Sequence, residues 1–221
     1  MSEFVRTERH GRVLLVQITF EKTLNCLNQD ILAELTEILR GYSRDHELRA
    51  LVLTGSGRAF CTGADLKAFT ELTSEACVDY CMDYEEDIFH ILSASRKPTI
   101  AAVNGYAMGG GMELALACDF RVGVEKCQFS APEYGFGWVP GWGGVHRLGK
   151  LVGPAKAKEI LLLKKKIRGP EALSLGLLNE LVEDAEQLIP KALEMAEGLA
   201  QLNPLTVTYT KMILNDFDVP P

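Results

Sequence analysis

The chain has 221 residues, 47% hydrophobic and 24% charged, which allows one sizeable core and excludes a disordered chain. A formal net charge of −7 argues against general nucleic-acid binding, although a local basic patch for one anionic ligand stays open. No apolar run has the length of a bilayer span, and the opening MSEFVRTERHGR lacks a secretory apolar segment, so a cytoplasmic protein with no membrane partner is expected.

In chain order, Phe4 to Arg9 alternates and Val13 to Phe20 is rich in apolar and β-branched residues, with Gly11-Arg12 between them as a hairpin turn. Glu21 to Asn28 reads as a loop. Asn28 can cap a helix that puts Ile31, Leu32, Leu35, Ile38, Leu39 and Tyr42 on one face. Arg49 to Thr54 is a short buried strand. Phe60 to Leu66 reads as a strand end, a glycine turn and a helix start at Asp65. The spacing predicts one long helix over Ser74 to Ser95, and Pro98 restarts a strand. Phe120 to Val124 and Gln128 to Ser130 are further strands, and Pro132-Glu133 opens a short helical turn. Gly135 to Gly144 is a glycine- and aromatic-rich loop, followed by helices at about 144–151 and 154–163. Lys164 to Arg168 reads as a basic strand or edge. Pro170 starts another short helix, Leu178 to Val182 is a last strand, and Leu188 to Leu202 is amphipathic. Asn203-Pro204 caps a final helix to about Leu214. Strands alternate with helices, so the class is α/β, although the order is not that of a simple doubly wound sheet. No linker or clear sequence repeat is visible.

The stretch Pro98 to Arg121, PTIAAVNGYAMGGGMELALACDFR, concentrates the chemistry. Three consecutive glycines, Gly109 to Gly111, do little for packing by composition; they let a backbone approach a ligand with free N–H groups. A second glycine turn, Thr62-Gly63-Ala64-Asp65, has the same strand–turn–helix setting. Two such donors aimed at one point make an oxyanion hole for a carbonyl that becomes an enolate. Equally, both are tight turns that packing requires. Neither matches a dinucleotide fingerprint or a P-loop.

Glu113 stands alone in an apolar helical run, and Glu133 stands between Pro132 and an aromatic-rich loop. Acids in such places are paired, exposed or functional, and two of them with raised pKa values can share proton-transfer work. Trp138 and Trp142 are core or pocket wall. The histidines assemble no catalytic triad. Six cysteines (Cys26, Cys61, Cys77, Cys81, Cys118 and Cys127) form no CxxC and read as reduced core thiols. No histidine stands near the Cys77/Cys81 pair to complete a zinc set, and no metal is expected.

These residues resemble the crotonase, or enoyl-CoA hydratase/isomerase, superfamily, from about Val13 to Leu214. The most specific parts are GRAFCTGADLK (Gly57 to Lys67), KPTIAAVNGYAMGGGMELALACDFRV (Lys97 to Val122) and FSAPEYGFGWVPGWGGVHRLGKLVG (Phe129 to Gly153). The resemblance implies a single crotonase-like domain over 1–221, a spiral of repeated β–β–α turns to about residue 185 with a helical C-terminal part that is shortened here. It implies assembly as a trimer or hexamer and a place in fatty-acid metabolism. It implies an acyl-CoA thioester as substrate, coenzyme A being part of that substrate, with no further cofactor. The backbone N–H groups of Ala64 and Gly110 would form the oxyanion hole. Asp65, Leu66 and Lys67, with Ala64, would border the pantetheine and nucleotide; Gly110, Gly141 and Trp142 would border the acyl site. Glu113 and Glu133 match the two acids of the family's hydratases, whereas isomerases often keep only the second. A hydratase is therefore expected. The alternatives are a Δ3,Δ2-enoyl-CoA isomerase or a non-catalytic acyl-CoA- or RNA-binding member. The sequence departs from the family pattern in the short loop Phe20 to Leu27, in Thr62, and in Trp142, where a small residue is common.

Overall fold

The computed structural model describes residues 4–67 and 73–215. Strands β1 (Val5–His10) and β2 (Val13–Ile18) form an antiparallel hairpin that turns at Gly11, φ +58°. The Asn28 side chain accepts the Ile31 N–H at the start of helix α1 (Gln29–Arg44), and Ile31, Leu32, Leu35, Leu39 and Tyr42 are buried on its inner face as the spacing predicts. Strands β3 (Ala50–Gly55) and β5 (Thr99–Val103) are buried at every residue, as strands covered on both faces must be.

Two mixed sheets result. The larger has the order β1-β2-β3-β5-β7-β10, with β7 at Phe120–Val124 and β10 at Glu180–Val182; only β1 runs antiparallel. The smaller joins β4 (Ala59–Cys61), β6 (Tyr106–Met108), β8 (Gln128–Ser130) and β9 (Ile167–Arg168), the first three parallel. Each pair β3–β4, β5–β6 and β7–β8 places its first strand in the large sheet and its second in the small one. This is the β–β–α spiral that the resemblance implies, a repeat of geometry that no repeat of sequence announces. Side-chain amides tie successive turns together: Asn25 Nδ2 donates to the Ser56 and Ala59 carbonyls at 2.9 and 2.8 Å, and Asn104 Nδ2 to those of Gly57 and Ala59 at 3.0 Å.

Three expectations are corrected. The long helix is interrupted: α2 (Ser74–Tyr84) passes into a π-helical stretch, Glu85–His90, before a last α-helical turn at Ile91–Ser93. The wider turn faces Phe89 inward together with Ile88 and Leu92, while Ile91 is only partly buried. Lys164 to Arg168 is mostly a turn, with Lys164 at φ +53° and Lys165 paired to Glu159; only Ile167 and Arg168 pair with β8. Helix α3 (Gly110–Ala117) begins inside the glycine triplet, two residues before the apolar run.

Beyond the sheets lie α4 (Gly144–Val152), α5 (Pro154–Leu162), α6 (Gly169–Ser174), α7 (Ala185–Ala200) and α8 (Pro204–Asn215). Helix α7 crosses the large sheet on Leu188 and on Ala192, Ala196 and Ala200, three small residues spaced i, i+4 that permit a close approach. Asn203 Oδ1 caps α8 by accepting the Leu205 and Thr206 N–H groups. That helix is pinned by polar contacts of Lys211 with Asp119, Thr208 with the Arg96 carbonyl and Asn215 with the Ser93 carbonyl. No helix among the described residues is long and apolar enough to cross a membrane.

Candidate active site

The carboxyl ends of β4, β6 and β8, three neighbouring parallel strands, open on one cavity of about 400 Å3. Crevices at the carboxyl ends of parallel strands are where α/β proteins bind ligands. The turn after β4 supplies Ala64, Asp65, Leu66 and Lys67; the segment after β6 supplies Gly110 and Glu113; that after β8 supplies Glu133. Gly141 and Trp142, from the loop before α4, complete the wall. All nine predicted site residues thus line a single cavity.

The two glycine turns touch. A Cβ on Gly63, whose φ is +89°, would stand 2.7 Å from the Gly110 nitrogen. The bridge between Leu27 and Ala64 is closed by Leu27 N–H on the Gly63 carbonyl and Asp65 N–H on the Leu27 carbonyl, which turns the Ala64 N–H to the other side. Gly110 is the first residue of α3, where an N–H has no intrahelical acceptor. Packing nevertheless demands all three glycines of the triplet, against the sequence expectation. A Cβ would lie 2.3 Å from Glu133 Oε1 at Gly109, 2.3 Å from Trp142 Cζ3 at Gly110 and 2.0 Å from the Cys61 carbonyl oxygen at Gly111.

Glu113 is 3% exposed. Its Oε1 accepts the backbone N–H groups of Trp142 and Gly144, each at 2.8 Å, so the carboxylate sits at the N-terminus of α4. Gly144 admits it: a Cβ there would lie 2.5 Å from Glu113 Cγ. Glu133 follows Pro132 in a 3-10 turn, Pro132–Phe136, and its Oε2 is buried without a partner among the described residues. Burial pushes its carboxyl above the ordinary carboxylate range, partly offset by a hydrogen bond from its own backbone. Two acids held so differently are suited to opposite roles in proton transfer.

Sequence reasoning missed the supports of Glu113, and it missed Phe89, whose ring stacks on Trp142 with centroids 4.9 Å apart and planes at 19°. It also placed Cys26 and Cys81 in the core, whereas both line the cavity. Burial, reinforced by Asp65, pushes the Cys26 thiol up to about 12, and burial followed by Glu113 and Cys77 raises Cys81, which disfavours the thiolate form of both. Thr62 ties down the short loop before α1, donating to the Thr23 and Leu24 carbonyls at 3.3 and 3.2 Å. His146 lines a different cavity.

A backbone cradle beside one buried acid and one partly buried acid is a setting suited to acid–base chemistry. Residues 8–217 match the family model described as enoyl-CoA hydratase/isomerase. The chain is 37% identical over 209 residues to the short-chain-enoyl-CoA hydratase of Clostridium acetobutylicum, covering 94% of this chain and 79% of that one. It is 35% identical over 215 residues to the crotonyl-CoA hydratase of Syntrophomonas wolfei, covering 97% and 82%. Its fold superposes on an enoyl-CoA hydratase from Bacillus anthracis with a TM-score of 0.92 at 33% identity, over 99% of this chain and 85% of the other. The chain belongs to the enoyl-CoA hydratase/isomerase family.

Proposed function

We propose that the chain is an enoyl-CoA hydratase that adds water across the 2,3 double bond of a trans-2-enoyl-CoA. The carrying observation is the acid pair: Glu113 fixed by two backbone N–H groups, and Glu133 kept in a setting that favours its protonated form, both on one cavity. In this reading the thioester oxygen accepts the N–H groups of Ala64 and Gly110. Glu113 takes a proton from water as the oxygen attacks C3, and the negative charge moves through C2 to the thioester oxygen, where the hole stabilises it. Glu133 then delivers its proton to C2. Proton return between the acids by way of solvent restores the starting state. A single hole donor is worth on the order of 2.7–4 kcal/mol of transition-state stabilisation. Asp65, Leu66 and Lys67, at the cavity's mouth, border the coenzyme A portion. Assembly as a homotrimer or hexamer and a cytoplasmic setting belong to the same proposal.

The isomerase reading needs Glu133 alone; the support given to Glu113 by Trp142 and Gly144 favours the two-acid reading. Glu113→Gln is expected to lower crotonyl-CoA hydration, followed by loss of the enoyl thioester absorbance, by at least about 10²-fold. Isomerisation of a 3-enoyl-CoA, if present, is expected to survive. Hydration at a near-native rate in Glu113→Gln would remove the hydratase assignment. No absorbance loss with any acyl chain, alongside tight RNA binding, would favour a non-catalytic member.

A further inference from the structure

We propose that the ring of Trp142 is the acyl-length determinant, confining the site to short 2-enoyl thioesters of crotonyl size; the assignment rests on the hydratase reading above. The ring lies over the residue proposed to hold the thioester oxygen: a Cβ on Gly110 would stand 2.3 Å from Cζ3 and 2.6 Å from Cε3. Glu113 and Glu133 line the same cavity as the ring, so in this reading the acyl chain beyond C3 extends toward this wall. Trp142 is itself 3% exposed.

The wall is fixed in place. Phe89 backs the ring in a stacked contact. Its backbone is held on both sides, the N–H donating to Glu113 at 2.8 Å and the carbonyl accepting from Arg147 Nη1 at 2.5 Å. The preceding Gly141 abuts Cys81, whose Sγ would be 3.0 Å from a Cβ there. A ring packed between Phe89 and Gly110 cannot swing aside for a longer chain without losing its stacked contact. The indole N–H is buried without an acceptor among the described residues, so the side chain contributes shape rather than a hydrogen bond.

The test compares the native protein with Trp142→Ala and Trp142→Leu, both of which keep the backbone N–H. Hydration of crotonyl-CoA, trans-2-hexenoyl-CoA and trans-2-octenoyl-CoA is measured beside calorimetric binding of butyryl-CoA and octanoyl-CoA. A hydrophobic pocket discriminates a single methylene by about 10–200-fold, so native kcat/KM is expected to fall by at least about 100-fold from crotonyl- to octenoyl-CoA. In Trp142→Ala the octenoyl-to-crotonyl ratio is expected to rise at least about tenfold, with Trp142→Leu intermediate and octanoyl-CoA affinity rising in the same order. Equal native rates on the two substrates, or ratios unchanged in both variants, would overturn the inference. If the native protein hydrates no enoyl thioester, the hydratase reading fails and the binding series alone decides: an octanoyl-to-butyryl affinity ratio unaltered by both substitutions rejects Trp142. If Trp142→Ala shows no cooperative melt, Trp142→Leu carries the comparison.

Discussion

Glu133 carries a cost at the residue scale that a pH series reads directly. Its folded-state pKa is raised by burial above the unfolded value, so the folded chain binds the proton more tightly. The stability this gives is fully present below the unfolded pKa, near 4.5, and is lost as pH rises through the higher folded value. Glu133→Gln is always neutral, so its melting temperature is expected to match the native protein near pH 4 and to exceed it near pH 8. A difference independent of pH would mean that burial of charge is not the cause. Glu113 and Glu133 were both visible in the sequence because a lone acid in apolar surroundings needs an explanation. Their surroundings were not. The N–H groups that hold Glu113 come from 29 and 31 residues away, and no local pattern encodes a contact between a helix and the start of another.

At the scale of elements, α3 is defined by how closely it approaches β4. Gly111→Ala would drive a methyl into the Cys61 carbonyl, backbone against backbone, with nothing flexible to yield. Overpacking of that kind costs roughly 1–3 kcal/mol, and here the upper part of that range is expected, a fall of about 6–12 °C in melting temperature for a domain this size. A methyl added at Gly149, within α4, would meet nothing within 4 Å, so Gly149→Ala is expected to be neutral or to stabilise by up to about 1 kcal/mol. Two glycine-to-alanine changes in neighbouring helices should therefore differ in sign, and differential scanning calorimetry of the pair decides it. The asparagine caps located α1 and α8, and unbroken apolar runs located β3 and β5, which are covered on both faces. Periodicity failed at Glu85–His90, where one widened turn shifts the inward face onto Phe89, and at Lys164–Lys166, where a run of lysines conceals a left-handed turn.

For the whole molecule, the spiral brings together residues from three separated segments, and only the family resemblance made that order readable beforehand. The smaller sheet collects the second strand of each turn and so delivers the site. Helix α8 is attached through its polar contacts while Leu205, Tyr209, Met212, Ile213 and Leu214 remain exposed, an unusual density of apolar side chains for a surface helix. With the proposed trimer, light scattering at micromolar concentration is expected to give three or six times the mass of the chain, and Ile213→Glu to shift it downward. A monomer over the whole accessible concentration range would remove that assembly.

The contact between the turns after β4 and β6 has one more consequence. Ala64 and Gly110 follow adjacent strands of one sheet, and hydrogen-bonded strands run about 4.8 Å apart. An oxygen placed between the two turns can therefore take one N–H from each side. In the proposed function, a spacing common to every β-sheet thus sets the separation of the two donors, and the fold supplies the hole without any side chain dedicated to it.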